Sequence, residues 1–166
     1  MDRIDALPTV ILQRIAARLR SELGLNDRQV FLTLEPTAAP TIPPGGDVCL
    51  TVALGDGRFD EANQIGGTRE TLVEETSVTV TAYVRTKLDA GDHAEALLLE
   101  AARGLLVWKQ RILKALDGID LADDNDSRLL VQYLNAIQSW RPRIDGHTQI
   151  AMIAVAFTVD FNWDLT

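Results

Sequence analysis

Residues 70–116, ETLVEETSVTVTAYVRTKLDAGDHAEALLLEAARGLLVWKQRILKAL, decide the fold. The even positions Leu72, Val78, Val80, Ala82 and Val84 are apolar, whereas Ser77, Thr79, Thr81, Tyr83 and Arg85 between them are polar or amphipathic. A period of two belongs to a half-buried strand whose second face meets water or a partner. Asp92 and Glu95 then form a D-x-x-E capping signal. Ala94, Leu97, Ala101, Leu105, Trp108, Ile112 and Leu116 follow at spacings of three and four, which sets one apolar stripe along a single long helix. A strand that turns into a helix able to lie back over it is the smallest unit of an α+β layer. Trp108 lies on the stripe and is assigned to the core.

Upstream, Ile4, Leu7, Ile11, Ile15 and Leu19 recur at three or four, so Asp5–Leu23 reads as a first helix. Pro8 is tolerated in its first turn and Gly24 stops it. Arg14, Arg18 and Arg20 take the other side. With Asp2, Asp5 and Glu22 around them, they suit the negative helix end rather than a nucleic-acid patch. Val30–Leu34 is a short strand. Glu35–Asp47 holds four of the six prolines and Gly45-Gly46, hence an irregular loop. Val48–Leu54 alternates as another strand, which Gly55-Asp56-Gly57 is expected to end. Arg58–Arg69 has no period and reads as a mobile hairpin or arm, a candidate contact region.

Downstream, Asp117-Gly118 ends the long helix and Asp120–Asp126 is a solvated acidic loop, without the glycine and glutamate spacing of a calcium site. Ser127 caps a short helix through Leu130, Val131, Leu134 and Ile137, or else Ala136–Arg141 is a strand with Ile137 and Trp140 facing a core; both readings stay open. Pro142–His147 is a turn, with Asp145-Gly146 a hairpin signal. Thr148–Trp163 is a long final strand. Its odd positions are apolar from Ala151 to Trp163, and its even face begins apolar at Ile150, Met152, Ala154 and Ala156. A stretch greasy on both sides needs a second cover, from a loop or from a neighbouring subunit. The expectation is an α+β fold: a mixed or antiparallel sheet of about four or five strands with two helices packed on one face. It forms a single domain over residues 1–166, with long loops near 35–47, 55–69 and 117–127.

Chemistry is sparse. The formal net charge of -8 opposes a nucleic-acid-binding surface, though it suits a wall that DNA slides past. Cys49 is the single cysteine and sits in an apolar run, as a small buried hydrophobe. His93 and His147 fall at a helix start and a turn. Glu74 and Glu75 point to opposite faces of a strand, so they make no carboxylate pair. None of the four serines occupies a nucleophile elbow, and neither the Walker nor the dinucleotide glycine pattern occurs. No enzyme activity, cofactor or metal site is expected. No apolar run approaches the ~18 residues of a membrane span, and the opening MDRIDALPTV lacks the basic start of a signal peptide. Synthesis in the cytoplasm is expected.

Three places resemble the tail terminator (tail completion) proteins of long-tailed phages, the lambda-type family. They are the strand Val78–Arg85 running into the helix near Glu95, the closing strand Ile153–Trp163, and the opening helix followed by a short strand and a loop. The resemblance implies a structural virion protein of a phage or prophage-derived tail, which caps the tail tube as a hexameric ring and joins it to the head-side connector. Its implied partners are copies of itself, the tube protein and the connector, with DNA only as transiting cargo and with no membrane. The lone chain can be monomeric before assembly. Ile150, Met152, Arg58, Phe59, Arg141 and Arg143 are the candidate subunit or tube interface; Thr79, Thr81 and Tyr83 are the candidate lumen or wet sheet face. The alternatives are another head-tail connector or baseplate protein, or a small-molecule-binding α+β domain or enzyme. In that last case a pocket would lie between long helix and sheet, walled by Trp108 and Trp140.

Overall fold

The structure is a computed structural model that describes residues 7–35, 42, 46–59, 71–86, 98–99, 101, 104–121, 133–145 and 149–164. The elements are α1 (Leu7–Leu23), β1 (Val30–Thr33), β2 (Val48–Phe59), β3 (Thr71–Arg85), α2 (Leu105–Leu116), β4 (Asn135–Ser139), β5 (Arg143–Asp145) and β6 (Ile150–Asp164). The strands form one six-stranded sheet in the order β1-β2-β3-β6-β4, with β5 also on β6. β1 runs parallel to β2 and every other pairing is antiparallel. The expected α+β class is observed. The strand beyond the expected four or five is β5, which lies inside the segment read as a turn.

β3 is the spine. Its 15 residues pair with β6 from Thr71↔Asp164 to Arg85↔Ile150, and with β2 from Glu74↔Phe59 to Val84↔Val48. Alternation sends Val78, Val80, Ala82 and Val84 to one face, where they join Leu50, Val52, Ile153, Val155 and Phe157. Both helices close this face. Ile11, Ile15 and Leu19 of α1 and Leu105, Trp108, Ile112 and Leu116 of α2 are all buried in the same cluster. Burying apolar area of this kind contributes roughly 25 cal/mol per Å². Trp108 is 4% exposed, and the Arg111 guanidinium stacks over its ring at 4.9 Å from the centroid.

Both glycine stops are as expected. Gly24 and Gly118 have φ of 65° and 71°, the left-handed region that ends a helix without a Cβ penalty. The long helix, however, does not run unbroken. Gly104 is extended, with φ -62° and ψ 127°, and α2 starts directly after it. Glycine inside a helix costs about 1 kcal/mol relative to alanine. The chain restarts its helix there, with Arg111 Nη2 donating to the Ala101 carbonyl at 3.0 Å. The Asp92–Glu95 capping signal lies outside the described residues.

Three further expectations are corrected. Gly55-Asp56-Gly57 does not end β2. Leu54 pairs with Val78 and Gly57 with Thr76, so one extra residue bulges and the strand continues through Arg58 and Phe59. A Cβ at Gly55 would meet the Ser77 hydroxyl, and one at Gly57 the Glu74 carboxylate; the glycines permit close approach. Arg58 and Phe59 are therefore strand residues, not part of an aperiodic arm. Of the two readings left open after Asp126, the strand is observed at residues 135–139, while Ser127 and Leu130 lie outside the described residues; Ile137 is 57% exposed instead of facing a core. The register shift between Ala136 and Gln138 makes Ile137 the bulged residue.

Trp108→Ala is expected to cost about 3–5 kcal/mol, and Leu106→Ala on the exposed side of α2 no more than about 0.5 kcal/mol. Urea unfolding checks both, read as midpoints at a constant slope.

Candidate functional site

The sheet face turned away from the helices is built in cross-strand rows. Cys49, Tyr83, Met152 and Arg143 form one row; Thr51, Thr81 and Ala154 the next; Ala53, Thr79, Ala156 and Gln138 the third. Thr79, Thr81 and Tyr83 were expected to be wet. They are 6%, 2% and 0% exposed in the single chain. Tyr83 has a cover: Ile42 packs on Cys49 and Tyr83, with Phe31, Ile150 and Met152 around them. Arg85 fastens that cover by donating from Nη2 to the Ile42 carbonyl at 3.2 Å.

Burial sets the electrostatics of this second cluster. It pushes the Cys49 thiol up to about 12, far from a reactive thiolate. It also raises Tyr83, while the hydroxyls of Thr51 and Thr81 beside the phenol pull in the opposite direction. The Thr51 hydroxyl does not reach good hydrogen-bond geometry, so burial prevails.

Beside this cluster lies a cavity of about 250 Å³, half open to solvent. Thr79, Thr81 and Ala154 form its floor, and Trp140, Met152, Arg141 and Arg143 its walls. Local pairing explains the wall. The Trp140 amide donates to the Ala154 carbonyl at 3.0 Å, β5 pairs Arg143 with Met152, and Pro142 separates β4 from β5 on the same side of β6. Lys109 Nζ, donating to Ser139 Oγ at 2.8 Å, ties β4 to α2. Trp140 thus lines a cavity, but on the face opposite the one where a helix–sheet pocket was expected. Trp108 lies in the filled helix–sheet core.

The six interface candidates fall into two groups. Met152, Arg141 and Arg143 line the cavity and Ile150 packs on the Ile42 cluster beside it; Ile150 and Met152 are half-buried and both arginines exposed. Arg58 and Phe59 sit at the far end of β2, where the strand passes from buried to exposed. Phe59 is 51% exposed and registers with Glu74. Five to seven residues of β3 separate Glu74 from the cavity floor, which is about 16–23 Å of strand.

The other singled-out residues have structural employment. Arg14 donates to the Leu121 carbonyl at 2.5 Å and Arg18 to the Ala115 carbonyl at 3.4 Å, while Arg20 bonds the Val30 carbonyl at 3.0 Å. These arginines clamp α1 to its surroundings. Glu74 lies over Gly57, and Glu75 accepts from Thr158 at 3.4 Å. His93 and His147 lie outside the described residues. Among the described residues no group of three His, Cys, Asp or Glu side chains could hold a metal ion, and no helix is long and apolar enough to cross a membrane. Periodicity missed the cavity wall because Trp140 and Arg141 sit between two short strands; the Arg-Pro-Arg run beside a tryptophan was its only signal.

No protein-family model matches the chain, and no curated protein matches it either. Among solved structures, the chain is similar to a chain of the virion of a native gene transfer agent particle. That match covers 95% of this chain and 96% of the other, at 19% identity and a TM-score of 0.52. It shows a shared fold. A second similarity is to the sheath/tube terminator of an extracellular contractile injection system in its extended state, at 13% identity and a TM-score of 0.38, covering 97% of this chain and 58% of that one.

The cluster under Ile42 has a pH signature. Cys49 and Tyr83 both hold their protons longer folded than unfolded. Their contribution to stability is complete below the unfolded thiol value of about 9 and is lost as pH rises toward 12. The unfolding midpoint is expected to drop across that window in wild type and less in Cys49→Ala. Native Cys49 is expected to resist a thiol reagent at pH 8 and to react on urea unfolding.

Proposed function

We propose that this chain is a structural component of a phage-like virion: a ring-forming cap on the tail tube that joins it to the head-side connector. The observation that carries the reading is the shared fold, nearly end to end, with a chain of a gene transfer agent virion. A fold hosts many functions, so the surface has to agree with the reading, and it does. The helices cover one sheet face over Val78, Val80, Ala82 and Val84 and their cross-strand neighbours. On the other, Ile150, Met152 and Ala154 stay half-buried, as surface awaiting a second cover does. Both flanks of the sheet present apolar side chains, Leu32 on β1 and Ile137 and Ile144 on β4 and β5. Natural single subunits blunt such edges; copies related by rotation use them. Contacts between unlike surfaces close into a ring when the rotation permits. The acidic balance keeps a passing duplex from sticking. The similarity to a chain of a virion supports a mechanical role.

The test is negative-stain microscopy of the chain mixed with purified tail tubes. The expected result is a ring at one end of each tube, while the dilute chain alone sediments as a monomer. A strong two-fold dimer, or decoration along tube walls, would overturn the reading.

A further inference from the structure

The cavity and the projecting sheet end are complementary, and we infer that Phe59 of one copy seats in the Trp140–Met152 cavity of the next. The inference deepens the ring reading by naming the contact between subunits, and rests on it only for the closure of the ring. Three observations carry it.

First, size and lining. About 250 Å³ falls below the ~300–1,000 Å³ of a small-molecule pocket and suits a single side chain. Its floor of small residues and its Trp140 and Met152 walls are what an aromatic anchor fills. Phe59 is a large apolar side chain left 51% exposed at the exposed end of β2.

Second, charge. Arg141 and Arg143 stand exposed at the rim with no ion-pair partner among the described residues. Around Phe59 the described residues carry the carboxylates of Asp56, Glu74 and Glu75 and the guanidinium of Arg58, a net negative charge. An acidic projection facing a basic rim gives the contact its register and speeds encounter.

Third, geometry forbids the contact within one chain. Phe59 registers opposite Glu74, an even position that faces the helix side, whereas the cavity opens on the odd face at Thr79 and Thr81. Roughly 16–23 Å of strand also lies between them. The occupant therefore comes from a second copy. Because Phe59 and the cavity lie on opposite faces of the sheet, one two-fold interface does not pair both reciprocally, so the contact is head-to-tail and generates a ring or a filament.

The experiment mixes two full-length variants at high concentration, Arg58→Cys beside an intact Phe59 and Gln138→Cys beside an intact cavity, with a short bis-maleimide. Native Cys49 is buried and serves as the internal background. The expected product is a cross-linked heterodimer, at least tenfold above a control pairing Arg58→Cys with Glu22→Cys on α1, falling as salt is raised and lost when Phe59→Ala is added to the donor chain. Arg141→Glu combined with Arg143→Glu in the acceptor chain removes the product. Adding Asp56→Lys and Glu75→Lys to the donor chain restores it, and unchanged unfolding midpoints show that each variant folds. Yield equal to the control, or no response to charge reversal, overturns the inference. Rings on tubes without this cross-link would leave the ring reading standing and reject the contact. The cross-link without capped tubes would do the reverse.

Discussion

Everything in the fold depends on β3 being hydrogen-bonded on both sides. Its pairing with β6 continues over all 15 residues and that with β2 over most of them. The backbone of so sheltered a strand has no water to turn to, so both ladders must be complete. Completion fixes the register, and the register decides the two faces. A slip of one residue would bring Thr79, Thr81 and Tyr83 under the helices and push Val78, Val80 and Val84 out. Val80 pairs with Val52 and Val155 and Val84 with Val48 and Ala151, so the slip is opposed at several rows at once.

The helix-backed half of this structure was legible because its signals are periodic. Ile11, Ile15 and Leu19 mark one stripe; Leu105, Trp108, Ile112 and Leu116 mark the other; Val78 to Val84 mark the floor between them. The two left-handed glycines, Gly24 and Gly118, were legible for the same local reason. What escaped was set by tertiary contacts. Gly55 and Gly57 look like a strand end, yet they sit where Ser77 and Glu74 pass too close for any Cβ. Gly104 lies within a helical pattern that the chain interrupts there. Alternation showed that Thr79, Thr81 and Tyr83 share a face. It could not show that Ile42, distant in sequence and set among prolines, would shelter part of it.

The candidate site was legible in its residues but not in its grouping. Arg141, Arg143 and Met152 come together only because β5 folds back on β6 through a hairpin whose other side is held by Thr86, donating to the Gln149 carbonyl at 2.8 Å. Arg58 and Phe59 are separated from them because the bulge lets β2 run on past its glycines. The two halves of the sheet thus acquire different surroundings from one continuous pairing scheme.

That division has an energetic consequence. The helix-side cluster buries Val, Ile, Leu, Phe and Trp side chains, worth about 1.5–3 kcal/mol for each large one. The other face buries threonines, alanines, a thiol and a phenol, whose polar atoms cost free energy unless well bonded; Thr51 is not. Stability is therefore concentrated on one side of the sheet, leaving the other free to trade its partial cover for a partner at small cost. A shared fold at 19% identity is what this arrangement permits. Hydrophobic residues of suitable size hold the helix-backed face through many substitutions, so the fold does not demand a particular sequence there.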